Sequence, residues 1–284
     1  HEYADDGSFV FYVNRSLPPR VWSNILTNGS FGYIAADSGT GNMWLKNAHE
    51  LRLTPWINDP MAIDGAEVLE YCDGSGRHSL FADDDGAPCR VTFGFGFAVW
   101  EKSFGSFASR CTAYVPPDMD ARVMIIEFFG EHSGKLGWKC ELLMSDSDND
   151  RGAVACSYVS SVFTASSTRS AIRGLNFSAV CSSEALAWTC DGLSWLHNEF
   201  DSRTNGLSYP VFAASYEAQP VTVLVCGCES PDRLLELCKH DAAFAALEKT
   251  KAHWRSLCRR LTVSGCGKAD KYMSGWAVYQ TLAC

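Results

Sequence analysis

The chain has 284 residues, 46% of them hydrophobic and 20% charged, which excludes a disordered protein and allows one large or two ordinary domains. Its 24 basic residues against 33 acidic ones give a net charge of −9, which argues against nucleic acid or an anionic membrane as a partner. The longest apolar runs, such as residues 221–226, are too short to span a bilayer. The first residues do not show the basic region followed by an apolar region that is typical of a secretory signal, so we expect none.

The chain contains thirteen cysteines. A chain of this length can build a hydrophobic core without disulfides, and most of these cysteines stand in apolar runs, where a thiol acts as a small hydrophobic side chain. We therefore expect reduced, structural cysteines and a cytoplasmic protein.

Aromatic and β-branched runs recur between turn-forming clusters from residue 8 to about residue 228. Such runs predict strands, and strands without intervening helices predict an antiparallel sandwich or barrel. Residues 122–129 are almost continuously apolar, which is typical of a strand covered on both faces. The predicted strands are residues 9–13, 31–35, 91–100, 107–115, 122–129, 137–144, 177–181, 186–190, 209–216 and 221–226.

Within the third of these strands, phenylalanine alternates with glycine in Phe93-Gly94-Phe95-Gly96-Phe97. Side chains two residues apart point to the same side of a strand. The pattern therefore predicts three rings on one face and, on the other, glycines that admit a close neighbour.

The pattern changes at Ser230-Pro231-Asp232, which combines an N-cap, a proline at the first helical position and an acid in the first turn. Apolar residues then recur at helical spacing in two further segments, 244–261 and 272–283. We predict a sandwich domain over residues 1–229 and a helical linker over residues 230–284. The second segment reaches the last residue without a stop signal, so we expect the chain to continue.

Common nucleotide-binding and hydrolase motifs are absent from the sequence. Cys226, Cys228, Cys238 and His240 offer soft metal ligands, but their spacing is unusual for zinc, and core cysteines are the simpler interpretation. The run of alternating acids at residues 146–152 resembles a calcium loop but lacks its turn glycine and its final glutamate, which favours a solvated acidic hairpin. We predict no metal site and no cofactor.

The densest group of functional side chains lies between residues 42 and 60. Planar amides, a carboxylate and a guanidinium can hydrogen-bond sugar hydroxyls, and an indole can stack on a sugar ring. The alternative is structural: the two tryptophans anchor a core, Asn58-Asp59-Pro60 forms a turn, and Arg52 pairs with Glu50 or Asp59. The candidate sugar-binding residues are Trp44, Asn47, Arg52, Trp56, Asn58 and Asp59.

Several separated segments resemble the N-terminal domain of glycoside hydrolase family 94, formerly glycosyltransferase family 36. This family contains cellobiose-type phosphorylases and cyclic β-1,2-glucan synthases. The Thr54-Pro55-Trp56-x-Asn58-Asp59-Pro60 run is closest to the cyclic-glucan-synthase branch. Two departures are Phe93, where the family has histidine, and Ser30, where arginine is common. The resembling segments are residues 22–32, 38–44, 52–60, 93–97, 114–118 and 254–284.

The resemblance implies a mainly β, galactose-mutarotase-like antiparallel super-sandwich, a helical linker and a downstream α/α barrel that carries catalysis. It also implies inverting cleavage or formation of a β-glucosidic bond. In such a reaction one carboxylic acid protonates the glycosidic oxygen while inorganic phosphate, a co-substrate, attacks the opposite face. This chain would then lack a catalytic residue. The expected partners are a β-glucan or β-glucoside oligosaccharide, the downstream domain and a second copy of the chain.

Three functions follow from these observations. The preferred one is the non-catalytic portion of a phosphorylase or transferase, and the second is a stand-alone carbohydrate-binding, structural or dimerising sandwich. The third is a complete glycosidase that uses a carboxylate pair such as Asp59 and Glu67. If the chain is cut from a larger enzyme, we expect exposed apolar surface along Trp254, Trp276 and Tyr279.

Overall fold

A computed structural model describes residues 1–14, 16–39, 41–55, 66–206, 209–265, 267 and 269–284. Strands account for most of the regular structure before residue 228, as predicted. In chain order they are β1 (Glu2–Tyr3), β2 (Phe9–Val13), β3 (Ser23–Thr27), β4 (Phe31–Ala36), β5 (Met43–Leu45), β6 (Glu67–Asp73), β7 (Gly76–Ser79), β8 (Cys89–Gly94), β9 (Phe97–Ser103), β10 (Phe107–Tyr114), β11 (Ala121–Gly130), β12 (Lys135–Glu141), β13 (Val154–Val159), β14 (Val162–Ser167), β15 (Asn176–Cys181), β16 (Ala187–Asp191), β17 (Pro210–Glu217) and β18 (Val221–Gly227).

These strands form three antiparallel sheets. The largest has the order β1-β2-β8-β9-β10-β11-β18-β15-β14-β13, the second the order β16-β17-β12-β6-β7, and the third the order β3-β4-β5. Side chains of the large sheet and of the second sheet interdigitate in one hydrophobic core. The predicted antiparallel super-sandwich is therefore confirmed.

The packing of strand β11 explains why its sequence is almost continuously apolar. Met124 and Ile126 belong to the core between the sheets, whereas Val123 and Ile125 belong to a second cluster on the outer face of the large sheet. A short helix, α1 (Gly192–Leu196), follows β16. Helices α2 (Pro231–Leu237) and α3 (His240–Cys258) cover the outer face of the large sheet through Leu234, Ala243 and Leu247. The strand is thus buried on both faces, as predicted.

The single strand predicted over residues 91–100 is wrong. The structure has a hairpin there, because β8 ends at Gly94, β9 begins at Phe97 and these two residues pair across a two-residue turn. Gly96 has a φ of +84°, a left-handed conformation that favours glycine and reverses the chain. The three rings therefore do not share one face: Phe93 and Phe95 join the core between the sheets, and Phe97 joins the outer cluster.

The C-terminal helices pack on the sandwich at this hairpin. Helix α2 begins at Pro231, at the predicted start signal. On α3, Trp254 lies directly over Gly96, where an added Cβ would be 2.0 Å from the indole Cδ1. The chain then forms a short helix α4 (Ala269–Lys271), a π-helical turn (Tyr272–Trp276) and helix α5 (Ala277–Ala283).

The expectation of exposed apolar surface along Trp254, Trp276 and Tyr279 is wrong. These side chains are only 4%, 8% and 1% exposed. The Trp276 Nε1 donates to the carbonyl of Gly7 at 2.9 Å, and the Tyr279 hydroxyl donates to the carbonyl of Ile25 on β3. Helical periodicity identified the apolar face correctly, but the sandwich itself covers that face.

A buried ion pair joins the three sheets. Arg122 on β11 donates from Nη2 to Oε1 of Glu67 on β6, and both side chains are at most 1% exposed. The indole Nε1 of Trp138 on β12 donates to the same carboxylate oxygen at 2.8 Å. From β4 of the third sheet, the Tyr33 ring lies 5.4 Å from the guanidinium carbon of Arg122. We call these four residues the sheet junction.

The sheet junction also explains why the pKa values of Arg122 and Tyr33 are raised. Burial by itself would lower the pKa of Arg122, but the Glu67 carboxylate raises it above the ordinary value. Burial raises the pKa of the Tyr33 hydroxyl, and the negative charge of Glu67 raises it further. Arg122 is therefore charged and Tyr33 neutral at neutral pH.

Twelve cysteines fall within the described residues and all are free thiols, most of them buried. None of the helices in the described ranges is both long and apolar enough to cross a membrane.

The close contact at Gly96 can be tested with Gly96→Ala. The added methyl would adopt a strained φ and collide with Trp254, so we expect a loss of about 3 kcal/mol in the free energy of unfolding. Gly105→Ala is the matched control, because Gly105 has the same φ of +84° but nothing within 4 Å of the added Cβ. We expect the control to lose about 1 kcal/mol in urea unfolding. Equal losses in the two variants would contradict the packing role of Trp254.

Candidate functional site

Trp44, the first predicted sugar-binding residue, lies on β5 beside a glycine of the neighbouring strand. Trp44 pairs with Gly32 of β4, and a Cβ added to Gly32 would lie 2.1 Å from the indole Cζ2. The ring therefore lies across the glycine, where any side chain would displace it. Trp44 is half-buried, so this packing holds the ring while part of it remains accessible.

Asn47 builds the turn that follows β5. Lys46 has a φ of +63°, and the Asn47 side-chain Oδ1 accepts from the backbone N–H groups of His49 at 2.8 Å and Glu50 at 3.1 Å. This is the local bonding that makes asparagine favourable in turns. The exposed Asn47 thus uses its amide oxygen within the turn.

Arg52 connects the three-stranded sheet to a distant acidic segment. Its backbone bridges Trp44 on one side and Ser145 on the other. Its guanidinium reaches the Asp148 carboxylate, with 3.4 Å between Nη1 and Oδ2, and donates from Nη2 to the Asp146 carbonyl. This partner is 96 residues away in sequence. Of the two local partners considered from sequence, Glu50 and Asp59, the second lies outside the described residues.

The acidic segment does not form the predicted hairpin. Residues Asp148–Ala153 form a 3₁₀ helix, with Ser147 as its N-cap and the Ser145 hydroxyl bonded to Asp150 at 2.6 Å. Short polar side chains that bond nearby backbone groups favour such a turn over a strand pair. Across the described ranges, no cluster of three or more His, Cys, Asp or Glu residues could hold a metal ion.

Glu141, at the end of β12, continues the network that begins at Arg52. Its Oε1 accepts from the Tyr209 hydroxyl at 2.6 Å and from Lys139 Nζ at 2.8 Å, and its Oε2 accepts from Arg151 at 3.1 Å. Burial raises the pKa of the Tyr209 hydroxyl, and the Glu141 carboxylate raises it further. Part of this group could be predicted from the sequence, because Lys139 and Glu141 are two residues apart and therefore point to the same face of β12.

We call this continuous group the loop-end surface. It runs from the half-buried indole on β5 through alternating positive and negative side chains to a tyrosine hydroxyl. Its carboxylates are bonded to cations, so it offers a fixed array of donors and acceptors rather than an unpaired catalytic acid. Its members are Trp44, Arg52, Asp148, Arg151, Glu141 and Tyr209.

The remaining predicted sugar-binding residues, Trp56, Asn58 and Asp59, lie outside the described residues. The described chain stops at Pro55 and resumes at Ala66, whose carbonyl accepts from the Glu141 backbone at 2.7 Å. The chain therefore resumes beside Glu141, a member of the loop-end surface.

Glu67, considered from sequence as one of a pair of catalytic carboxylates, belongs to the sheet junction instead. Its side chain is 1% exposed and bonded to Arg122 and Trp138. Glu67 cannot reach a sugar in this position, which removes the proposed Asp59–Glu67 pair.

The fold is that of an antiparallel super-sandwich domain. Residues 8–129 match the family model described as "Glycosyl hydrolase 94, supersandwich domain". The family resemblance predicted from the sequence is thereby confirmed for this segment.

A curated relative agrees with the predicted branch. Cyclic beta-(1,2)-glucan synthase NdvB of Rhizobium meliloti (strain 1021) is 22% identical over an alignment of 326 residues that includes 99% of this chain. The alignment covers 11% of that protein, so this chain spans about a tenth of the relative's length.

A solved structure shares this fold. A bacterial glucoamylase in complex with acarbose superposes with a TM-score of 0.56 at 11% identity, over 94% of this chain and 43% of the glucoamylase. A GH92 glycosyl hydrolase, ccman5, has a TM-score of 0.49 at 12% identity, over 94% of this chain and 38% of that protein.

Arg52→Gln should loosen the acidic segment without unfolding the sandwich. The variant removes charged hydrogen bonds to residues 146 and 148, so we expect backbone amides of residues 146–151 to exchange about tenfold faster. Overall stability should change by less than about 1 kcal/mol, because Asp148 is 55% exposed. Hydrogen exchange measured by mass spectrometry tests this.

Arg169→Gln is the control for this experiment. Arg169 lies 4.0 Å from Asp150 and is 68% exposed, so its loss should leave exchange unchanged. Equal exchange in all three proteins would mean that Arg52 does not fix the acidic segment.

Proposed function

We propose that this chain is the non-catalytic sandwich and helical linker of a larger enzyme that makes or breaks β-glucosidic bonds with inversion. The match of residues 8–129 to the supersandwich domain supports this most directly. The chain also spans only 11% of the cyclic glucan synthase that it resembles. The acid that protonates the glycosidic oxygen then belongs to a downstream catalytic domain.

The chemistry of the described residues also supports a non-catalytic role for this chain. An inverting reaction with phosphate needs one carboxylic acid near the glycosidic oxygen, and phosphate is itself the nucleophile. At the loop-end surface, Glu141 and Asp148 are each bonded to an arginine side chain. The surface is better suited to hold sugar hydroxyls beside an indole ring.

We propose that the loop-end surface lies at the edge of the sugar site of the complete enzyme. Trp44 supplies a ring that is packed on Gly32, and Arg52 supplies a guanidinium that Asp148 orients. Trp56, Asn58 and Asp59, which the sequence assigns to the same site, follow Arg52 in the chain. Inorganic phosphate or a second sugar is the acceptor, and a β-glucan or β-glucoside is the donor.

The test compares the complete gene product with the 284-residue chain at equal concentration. With β-1,2-linked gluco-oligosaccharides, we expect the complete protein to transfer glucosyl groups to phosphate or to sugar and the shorter chain to show no turnover. In the complete protein, Trp44→Ala should raise KM about tenfold, because one ring contact with the sugar is lost. Trp22→Ala, at a tryptophan that is 39% exposed, is the control.

Turnover by the purified 284-residue chain would contradict the proposal that the catalytic acid belongs to a downstream domain. An unchanged KM in Trp44→Ala, with a melting temperature equal to that of the parent protein, would remove the loop-end surface from the sugar site. Tight glucan binding by the chain together with an inactive complete protein would favour a stand-alone carbohydrate-binding module instead.

A further inference from the structure

A groove of about 650 Å³ crosses the outer face of the ten-stranded sheet beside helix α3. Its volume is within the range of clefts that hold small ligands, about 300–1,000 Å³. The groove shares no residue with the loop-end surface, whose members lie on the other two sheets and their loops.

One wall of the groove is a row of alternating charges. Arg90, Glu101, Arg110 and Glu127 stand directly opposite one another on β8, β9, β10 and β11. Arg90 pairs with Glu101, and Arg110 lies 3.0 Å from Glu101 and 3.8 Å from Glu127. These side chains are 18–43% exposed, so they are held in place by one another and still accessible.

The floor of the groove alternates valine and threonine. In the next row of the same strands, Thr92 and Thr112 alternate with Val10 and Val99, and the two threonines are 8% and 6% exposed.

One face of α3 forms the opposite wall. Phe244, Glu248, Lys251 and Arg255 are spaced four, three and four residues apart, which aligns them along the helix. Lys251 is held by Glu248 at 2.8 Å and by the Phe97 ring, whose centroid is 5.2 Å from its Nζ. Phe244 is 37% exposed and offers a ring at the rim.

The charges of the groove favour an uncharged ligand. Four basic side chains (Arg90, Arg110, Lys251, Arg255) face five acidic ones (Asp5, Asp6, Glu101, Glu127, Glu248), so neither an anionic nor a cationic polymer is preferred. Paired guanidinium and carboxylate groups offer adjacent donors and acceptors, which suit the vicinal hydroxyls of a sugar.

From this combination we infer that the groove binds a segment of an uncharged oligosaccharide, at a site separate from the loop-end surface. It would hold a glucan chain away from the reacting end. The choice of a β-1,2-glucan as the probe depends on the proposed function, whereas the argument from charge and hydroxyl groups does not.

The test titrates a linear β-1,2-linked gluco-oligosaccharide into the 284-residue chain by calorimetry. We expect Arg255→Ala and Phe244→Ala to weaken binding about tenfold each, because one removes a charged hydrogen-bond donor and the other a stacking ring. Both side chains are exposed, so both variants should fold. Arg259→Ala and Leu235→Ala, at exposed residues outside the groove, are matched controls and should bind like the parent chain.

No binding by the parent chain would overturn the inference, as would equal binding by all five proteins. Tighter binding of a sulfated form of the same oligosaccharide would overturn the assignment to an uncharged ligand. If the complete gene product is active while the groove variants bind normally, only this inference fails. If that product is inactive while the groove variants lose binding, only the proposed function fails.

Discussion

The sandwich depends on one buried charge pair. Arg122 and Glu67 come from two different sheets, Trp138 donates to the same carboxylate, and the ring of Tyr33 adds the third sheet. Removing either charge alone would leave the other buried without a partner, which is far more costly than losing a surface salt bridge. The pair therefore fixes how the three sheets meet, and it holds β6 next to the return of the chain at Ala66.

Several motif residues that identify the family serve this architecture. Asn28 accepts from the backbone of Ser30 and Phe31 and donates to the carbonyls of Pro116 and Met119, so two separated motifs meet at one turn. Gly32 makes room for the ring of Trp44 in the same way. These residues thus help to place the loop-end surface at the rim of the three-stranded sheet.

Fold class was predictable because apolar periodicity and turn residues are local signals. The hairpin at Gly96 was missed because a glycine in a strand and a glycine in a tight turn look alike in sequence. Of the site, the sequence indicated Trp44 and Arg52, but the partner of Arg52 at Asp148 depends on long-range pairing through Ser145. Periodicity also showed which face of α5 is apolar without showing that the sandwich covers it.

A double-mutant cycle at the sheet junction tests the account most directly. We expect Arg122→Met and Glu67→Leu each to lower the free energy of unfolding by about 3–5 kcal/mol, because each variant leaves one buried charge without a partner. The double variant should lose much less than the sum, since it removes both charges and, among the described residues, deprives only neutral groups such as the Trp138 indole N–H and the Cys226 thiol of these partners. Urea unfolding followed by circular dichroism gives all three values. Additive losses, or single variants as stable as the parent, would contradict the account.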